Sequence, residues 1–201
     1  VVPQAQGNGL GKRLYEHWLK LSEEKGVKAM RMYTGVNNVV SAGLARRYGL
    51  SLAQTFHGTK MAAPKFESDS TFENIHDVDE ATKLLIPLGE KWGGWMVMNR
   101  TYYKWSPELC KWLTENGMVY RDADGNMVVM GARFMKDYQL HIGLFDGDIT
   151  KCLDFAKADA SKRNVSIHCL YPDHLTEIEE ALTGYGFNKE SSPFIVMEIL
   201  F

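Results

Sequence analysis

Glycines at positions 7, 9 and 11, set among Gln6 and Asn8 and followed directly by Lys12 and Arg13, are the residues of this chain best suited to chemistry. Val1, Val2 and Pro3 form a short extended approach, and apolar residues at 10, 14, 18 and 21 follow at helical spacing. A loop of this kind delivers several backbone N–H groups to the start of a helix, where they lack intrahelical partners and carry partial positive charge. Phosphate oxygens bind at such places. Glycine suits them because a Cβ would block close approach of an anion and forbid some of the dihedrals required.

The elements that must hold this loop follow from the pattern of the chain. Residues 10–25 read as an amphipathic helix with one buried stripe at Leu10, Leu14, Trp18 and Leu21, ended by Gly26. Residues 27–34 alternate as a strand. Asn37 or Asn38 can cap a helix reaching Tyr48, where Gly49 ends it. Residues 51–61 are again extended. Residues 62–70, with Pro64 and small polar side chains, read as a linker, so the expected division is 1–65 and 66–201. Further helices are expected from Asp77 or Asp79 to about 88, and over 107–116, 148–160 and 175–182. Strands are expected over 71–75, 118–120, 127–134, 138–145, 165–171 and 194–200. Asp122-Ala123-Asp124-Gly125-Asn126 resembles the start of a calcium loop but lacks the later acidic ligands, so a hairpin turn is expected there.

Composition bounds the function. The 201 residues are 45% apolar and 24% charged, the balance of an ordinary globular protein. No run of about 18 apolar residues occurs, so no membrane span is expected, and no signal peptide is visible. Cys110, Cys152 and Cys169 form no CxxC pair and read as reduced core thiols of a cytoplasmic protein. The six histidines show no metal-ligand spacing, and no metal is expected. The net charge of −2 hides an asymmetry. Residues 1–65 hold ten Lys/Arg and three Asp/Glu (10 − 3 = +7), and residues 66–201 hold thirteen and twenty-two (13 − 22 = −9). A basic segment beside an anion loop suits a polyanionic small ligand, and an acidic one would attract a cationic substrate such as an amine. Mutual attraction or simple solvation of the two segments is the plainer alternative. No nucleic acid and no membrane is expected as a partner, and the oligomeric state stays open.

A weak internal repeat runs through the chain. A shift of 137 residues lays Ala29-Met30-Arg31-Met32-Tyr33 on Ser166-Ile167-His168-Cys169-Leu170, and residues 44–50 on residues 181–187, each ending Tyr-Gly-apolar. Two diverged copies of one α/β unit account for this most simply.

The loop resembles the acetyl-CoA-binding motif of the GNAT-type N-acetyltransferases. Their Arg/Gln-x-x-Gly-x-Gly/Ala pattern is filled by Gln6, Gly9 and Gly11. Asn38 followed by Tyr48-Gly49-Leu50 resembles the next motif of that family, and the likeness spans residues 1–61. It implies an α/β (α+β) fold with mixed, largely antiparallel sheets flanked by helices. It also implies two GNAT-like domains: residues 1–65 as the C-terminal part of a CoA-binding domain without its first strands, and 66–201 as a degenerate copy. The expected donor is acetyl-CoA or a related acyl-CoA. Val1, Val2, Gln6, Gly7, Asn8, Gly9, Leu10, Gly11 and Lys12 would hold its diphosphate and pantetheine, and Asn38 would contact the arm. The pantetheine would enter between the strand ending at Val1-Val2 and the strand over 27–34. The acceptor would be the primary amine of a small molecule or peptide.

The family's usual tyrosine acid, seven residues after Asn38, falls on Ala45, which donates no proton. Tyr48 and Tyr33 are the substitutes available, and the base stays unassigned. A non-catalytic acyl-CoA-binding or scaffold protein is therefore the alternative function. A Rossmann dinucleotide loop fits less well, because Gly7, Gly9 and Gly11 have another spacing and the next strand ends Tyr33-Thr34 without an acidic residue. In the second copy the equivalent loop reads Gly143-Leu144-Phe145-Asp146-Gly147-Asp148, whose aspartates would repel a phosphate, so no CoA is expected there. The aromatic run at Trp92, Trp95, Tyr102, Tyr103, Trp105 and Trp112 could wall an acceptor pocket, or simply pack.

Overall fold

The computed structural model describes residues 2–5, 7–69, 71–98, 101–133 and 139–201. Val1 and Gln6 of the glycine loop therefore lie outside the described residues, as do the expected strand ends Phe134 and Tyr138. The described residues form six α-helices and a mixed set of strands, and they divide into two compact units: residues 1–55 with 194–201, and residues 56–193.

In the first unit a 3-10 turn, Pro3–Ala5, leads through the glycines into helix α1 (Leu10–Glu24), strand β1 (Ala29–Gly35), helix α2 (Val39–Arg47) and the start of β2 (Ser51–Met61). The chain's last strand, β11 (Phe194–Leu200), pairs antiparallel with β1 from Ala29↔Leu200 to Gly35↔Phe194. Their shared core is Tyr15, Met30, Ala42, Ala45, Leu50, Ile195 and Met197. The expected division at 65/66 differs from these units. The unit boundary falls inside β2, and β11 belongs with the first unit because Ile195 and Met197 fill that unit's core.

Helix α1 forms where the periodicity puts it but turns a different side inward. Leu14 and Trp18 are 63% and 41% exposed, and Leu21 is exposed too. Tyr15 and Ser22 are buried instead, with Leu19 packed beside them. The Ser22 hydroxyl donates to the Trp18 carbonyl at 2.9 Å, which satisfies its buried oxygen. An apolar period fixes a helix; which face meets the sheet depends on what the sheet offers, here Met30 and Met197.

In the second unit β3 (Glu73–Asn74), β6 (Val119–Arg121), β7 (Met127–Arg133), β8 (Gln139–Asp146) and β9 (Ser166–Pro172) pair in the order β3-β6-β7-β8-β9, continuing to β2 from Phe56 onward. β10 (Asn188–Lys189) pairs with β2 at Lys60 and Thr59. A separate hairpin, β4 (Trp95–Met98) and β5 (Thr101–Lys104), forms within the aromatic run, where the sequence pattern marked no strand. The helices are α3 (Val78–Lys91), α4 (Pro107–Glu115), α5 (Ile149–Arg163) and α6 (Thr176–Gly184). Ser106 caps α4 with proline in its first turn, as its Ser-Pro start implies. Residues 122–126 make the expected hairpin turn, with Asp122 Oδ1 accepting from the amides of Asp124 and Asn126, each at 2.9 Å.

The internal repeat is a repeat of elements. Helices α1 and α5 both have 15 residues, β1 and β9 both have 7, and α2 and α6 both have 9. The starts of β1 and β9, and of α2 and α6, are 137 residues apart (166 − 29 and 176 − 39).

Candidate functional site

The glycine loop delivers a bare helix start. Gly9 occupies the N-cap position of α1 in the left-handed region (φ 70°), and Gly7 is left-handed too (φ 81°). Side chains adopt that region at a cost, which explains glycine at both places. Among the described residues no side chain caps α1, and no acidic residue lies in its first turn. The first intrahelical bond runs from the Arg13 amide to the Gly9 carbonyl (3.0 Å), so the amides of Leu10, Gly11 and Lys12 are the helix's orphan donors. Gly11 is different in kind. It sits inside the helix with no positive φ, where glycine costs about 1 kcal/mol relative to alanine. A Cβ built on Gly7, Gly9 or Gly11 would meet no described protein atom within 4 Å, so protein packing does not demand the small residue at 11.

These residues form one wall of a cleft of about 930 Å³ in the first unit, made by Gly7, Gly9, Leu10, Gly11 and Lys12. Helix α2 makes the opposite wall with Val39, Val40, Ser41, Gly43, Leu44 and Arg47. The described lining holds two cations, Lys12 and Arg47, and no carboxylate. Glu16 lies 3.7 Å from the Lys12 ammonium, both half exposed, so the pair contributes little and leaves the cation available. Aimed amides, full positive charge and a mostly open, partly apolar floor suit an elongated anion.

Asn8 and Val2 are exposed and outside the lining, and Val2 lies ahead of the 3-10 turn. Asn38 is the N-cap of α2. Its Oδ1 accepts from the Ser41 amide (3.2 Å), and its Nδ2 donates to Thr34 Oγ1 (3.0 Å). The side chain thus fixes α2 to the end of β1 and orients the wall that begins at Val39. No motif of the sequence marks that wall. Its signal is a spacing: Val40, Gly43, Leu44 and Arg47 follow the i, i+3, i+4, i+7 spacing of one helix face.

Ala45 is fully buried in the core of the unit. Tyr48 stacks on Tyr15 (ring centroids 5.2 Å apart) and donates its hydroxyl to Glu16 (2.5 Å). Burial first, then Glu16, raise its pKa above the ordinary phenol value, so it is protonated at neutral pH. Tyr33 stacks on Phe194 at 5.2 Å. Neither tyrosine is in the described lining of the cleft.

The equivalent place in the second unit, where β8 runs into α5, is built otherwise. Asp148 caps α5 by accepting from the Lys151 amide (3.1 Å), and its own amide donates to Asn126 Oδ1 (2.7 Å). β8 and β9 pair in parallel from Gln139↔Ser166 to Ile142↔Cys169, and the pairing stops there. Met96 of β4 lies over β8 at this point, since a Cβ on Gly143 would come within 2.6 Å of its sulfur. Trp92 is buried beside Phe145. It is 5% exposed, packs edge-on to Phe145, and donates from Nε1 to the Phe145 carbonyl (3.3 Å). Beside it is a cavity of about 210 Å³ with Asp146 and Glu177 in its lining. The aromatic run packs on itself: Trp95 stacks on Tyr102 at 4.3 Å, and Tyr103 on Trp112 at 6.3 Å.

All three cysteines are free and buried, and burial pushes Cys110 up to about 11. Among the described residues no cluster of three or more His, Cys, Asp or Glu could hold a metal ion, and no helix is long and apolar enough to cross a membrane.

Comparison with known proteins shows that this fold is similar to those of GNAT acetyltransferases. Residues 1–50, which carry the bare helix start and both cleft walls, match the model of the acetyltransferase (GNAT) family. A mycothiol acetyltransferase of Arthrobacter sp. (strain FB24) is 39% identical over 62 residues, which are 30% of this chain and 19% of that protein. Over the whole chain the fold is similar to a tandem GNAT protein from the clavulanic acid biosynthesis pathway (TM-score 0.61, 12% identity, 72% of that chain). It is also similar to GCN5-related N-acetyltransferases of Sphaerobacter thermophilus (0.57, 10%, 70%) and Kribbella flavida (0.51, 14%, 50%). The chain thus spans about a fifth of the length of the curated relative and half to three quarters of these solved chains.

Proposed function

We propose that the protein binds acetyl-CoA, or a related acyl-CoA, in the first unit and transfers the acyl group to the primary amine of a small molecule or peptide. The observation that carries this reading is the uncapped start of α1, with three glycines whose Cβ positions no protein atom claims, facing a cleft without carboxylates. The amides of Leu10, Gly11 and Lys12 would hold the diphosphate, and Asn38 would act by holding α2 in place. In the reaction the amine nitrogen attacks the thioester carbonyl carbon, the C–S bond breaks, the amine loses a proton and the departing thiolate gains one. The enzyme's share would be alignment and polarisation of the carbonyl.

The matched order α1-β1-α2 and α5-β9-α6 supports a tandem pair of GNAT-like units. The capped α5, the buried Trp92 and the acidic residues beside them support a second unit that takes no CoA. One CoA per chain is the expected stoichiometry.

A second reading, a non-catalytic acyl-CoA-binding protein, is favoured by Ala45 buried where the resemblance expects a tyrosine acid, and by the Tyr48 hydroxyl being held by Glu16. Titration calorimetry with acetyl-CoA, followed by thiol release with a panel of amines, separates the two. Binding with turnover supports the transferase; binding at one site without turnover for any amine supports the binder. Absence of binding overturns both.

A further inference from the structure

The anion-binding end of α1 accounts for half of the cleft; the α2 wall has a composition of its own. Val40, Gly43, Leu44 and Arg47 all line it, and their spacing puts them on one face of the helix. From Val40 to Arg47 that face is about 10 Å long at 1.5 Å per residue. Val40 is 79% exposed and Leu44 half-buried, so the middle of the wall is apolar surface open to the cleft. Gly43 lies between them in a helix interior, and a Cβ there would meet nothing within 4 Å. The glycine flattens the face at a point where the protein itself does not need the room. Beyond the flat part stands Arg47, exposed, and among the described residues no carboxylate lies within ion-pair distance of it. A flat apolar platform ending in an unpaired guanidinium fits a planar ring that carries a phosphate nearby.

We infer that this face of α2 reads the adenosine 3′-phosphate end of the donor, with the adenine over Gly43 between Val40 and Leu44 and the 3′-phosphate on Arg47. The inference rests on the acyl-CoA reading and adds a specificity determinant to it: Arg47 distinguishes CoA from dephospho-CoA, which lacks only that phosphate. A guanidinium is suited to this because its planar fork meets two phosphate oxygens at once. The diphosphate is left to the amides of α1, so the two anionic parts of the ligand have separate holders.

The test is a calorimetric titration of the whole chain with CoA and with dephospho-CoA, for the natural protein and for Arg47→Gln and Gly43→Leu. The natural protein binds CoA about tenfold more tightly than dephospho-CoA, the preference expected of one charge-assisted contact. Arg47→Gln brings CoA down to the affinity of dephospho-CoA and leaves dephospho-CoA unchanged. Gly43→Leu weakens both ligands alike, because it obstructs the platform and not the phosphate. Equal affinity of the natural protein for the two ligands overturns the inference while leaving the acyl-CoA reading intact, as does an Arg47→Gln protein that keeps the preference. Failure of both ligands to bind overturns the acyl-CoA reading and this inference together.

Discussion

Helices α1 and α5 have the same length, stand at the same place in the same order of elements, and begin in opposite chemical states. The start of α1 has glycine as its cap, no carboxylate in its first turn, and a cleft of about 930 Å³ before it. The start of α5 has Asp148 as its cap, Asn126 bound to the amide of that cap, and about 210 Å³ beside Trp92. Cys152 lies in the first turns of α5. A helix N-terminus ordinarily lowers a thiol pKa. Here burial, and then the charges of Asp122 and Asp148, push Cys152 up to about 12. The same backbone dipole is left bare in one unit and is met by the protein's own carboxylate and amide groups in the other. A fold supplies a helix start, and a few side chains decide whether anything else can use it.

The largest effect that can break this comparison is at Gly11. Gly11→Asp gives α1 the charge that α5 already has, and acetyl-CoA affinity should fall by about a hundredfold or more, as expected for a carboxylate set against a diphosphate at short range. Unchanged affinity in calorimetry would take the α1 start out of the site. Next in size is Trp92 of the second unit. Trp92→Ala should lower unfolding free energy by about 3–5 kcal/mol in urea denaturation, with CoA stoichiometry still one, since Asp146 and Asp148 remain. A second CoA site in that variant would mean that the indole alone closes the slot.

The capping aspartate comes third. Asp148→Ala should cost about 1 kcal/mol of stability without altering CoA affinity, the reverse of the pattern at Gly11. The smallest effect is a pH dependence at the neighbouring turn. Burial alone would raise the Asp122 carboxyl, but hydrogen bonds from the Asn126 side chain and the amides of Asn126 and Asp124, with Lys151 nearby, leave it below its usual value. Its contribution to stability is therefore present above the unfolded-state pKa of about 3.9 and is lost as pH falls through the lower folded value. Melting temperatures between about pH 2 and 6 should fall less steeply on the acid side in Asp122→Asn than in the natural protein.

Local chemistry was legible in the sequence wherever a few adjacent residues decide it. The glycine loop, the Asn38 cap, the Ser106-Pro107 helix start and the turn at Asp124-Gly125 each depend on contacts within about four residues, and the structure has all of them. The repeat was legible too, because spacing of elements survives when identity does not. Trp92 gave no such signal. An indole in an aromatic run reads the same whether it lines a pocket or fills one, and only its bond to Phe145, 53 residues away, distinguishes the two. The inward face of α1 and the place of β11 were hidden for a related reason: both depend on partners distant in the chain.

By itself, then, the sequence determined where several helices begin and the order in which helix and strand recur, since helix starts follow from backbone hydrogen bonding over a single turn. Tertiary structure decided that the α2 wall faces the α1 start, that the final strand serves the first unit, and that Trp92 packs on Phe145. Those outcomes depend on which apolar surfaces find each other across the chain, and residue spacing carries no record of that choice.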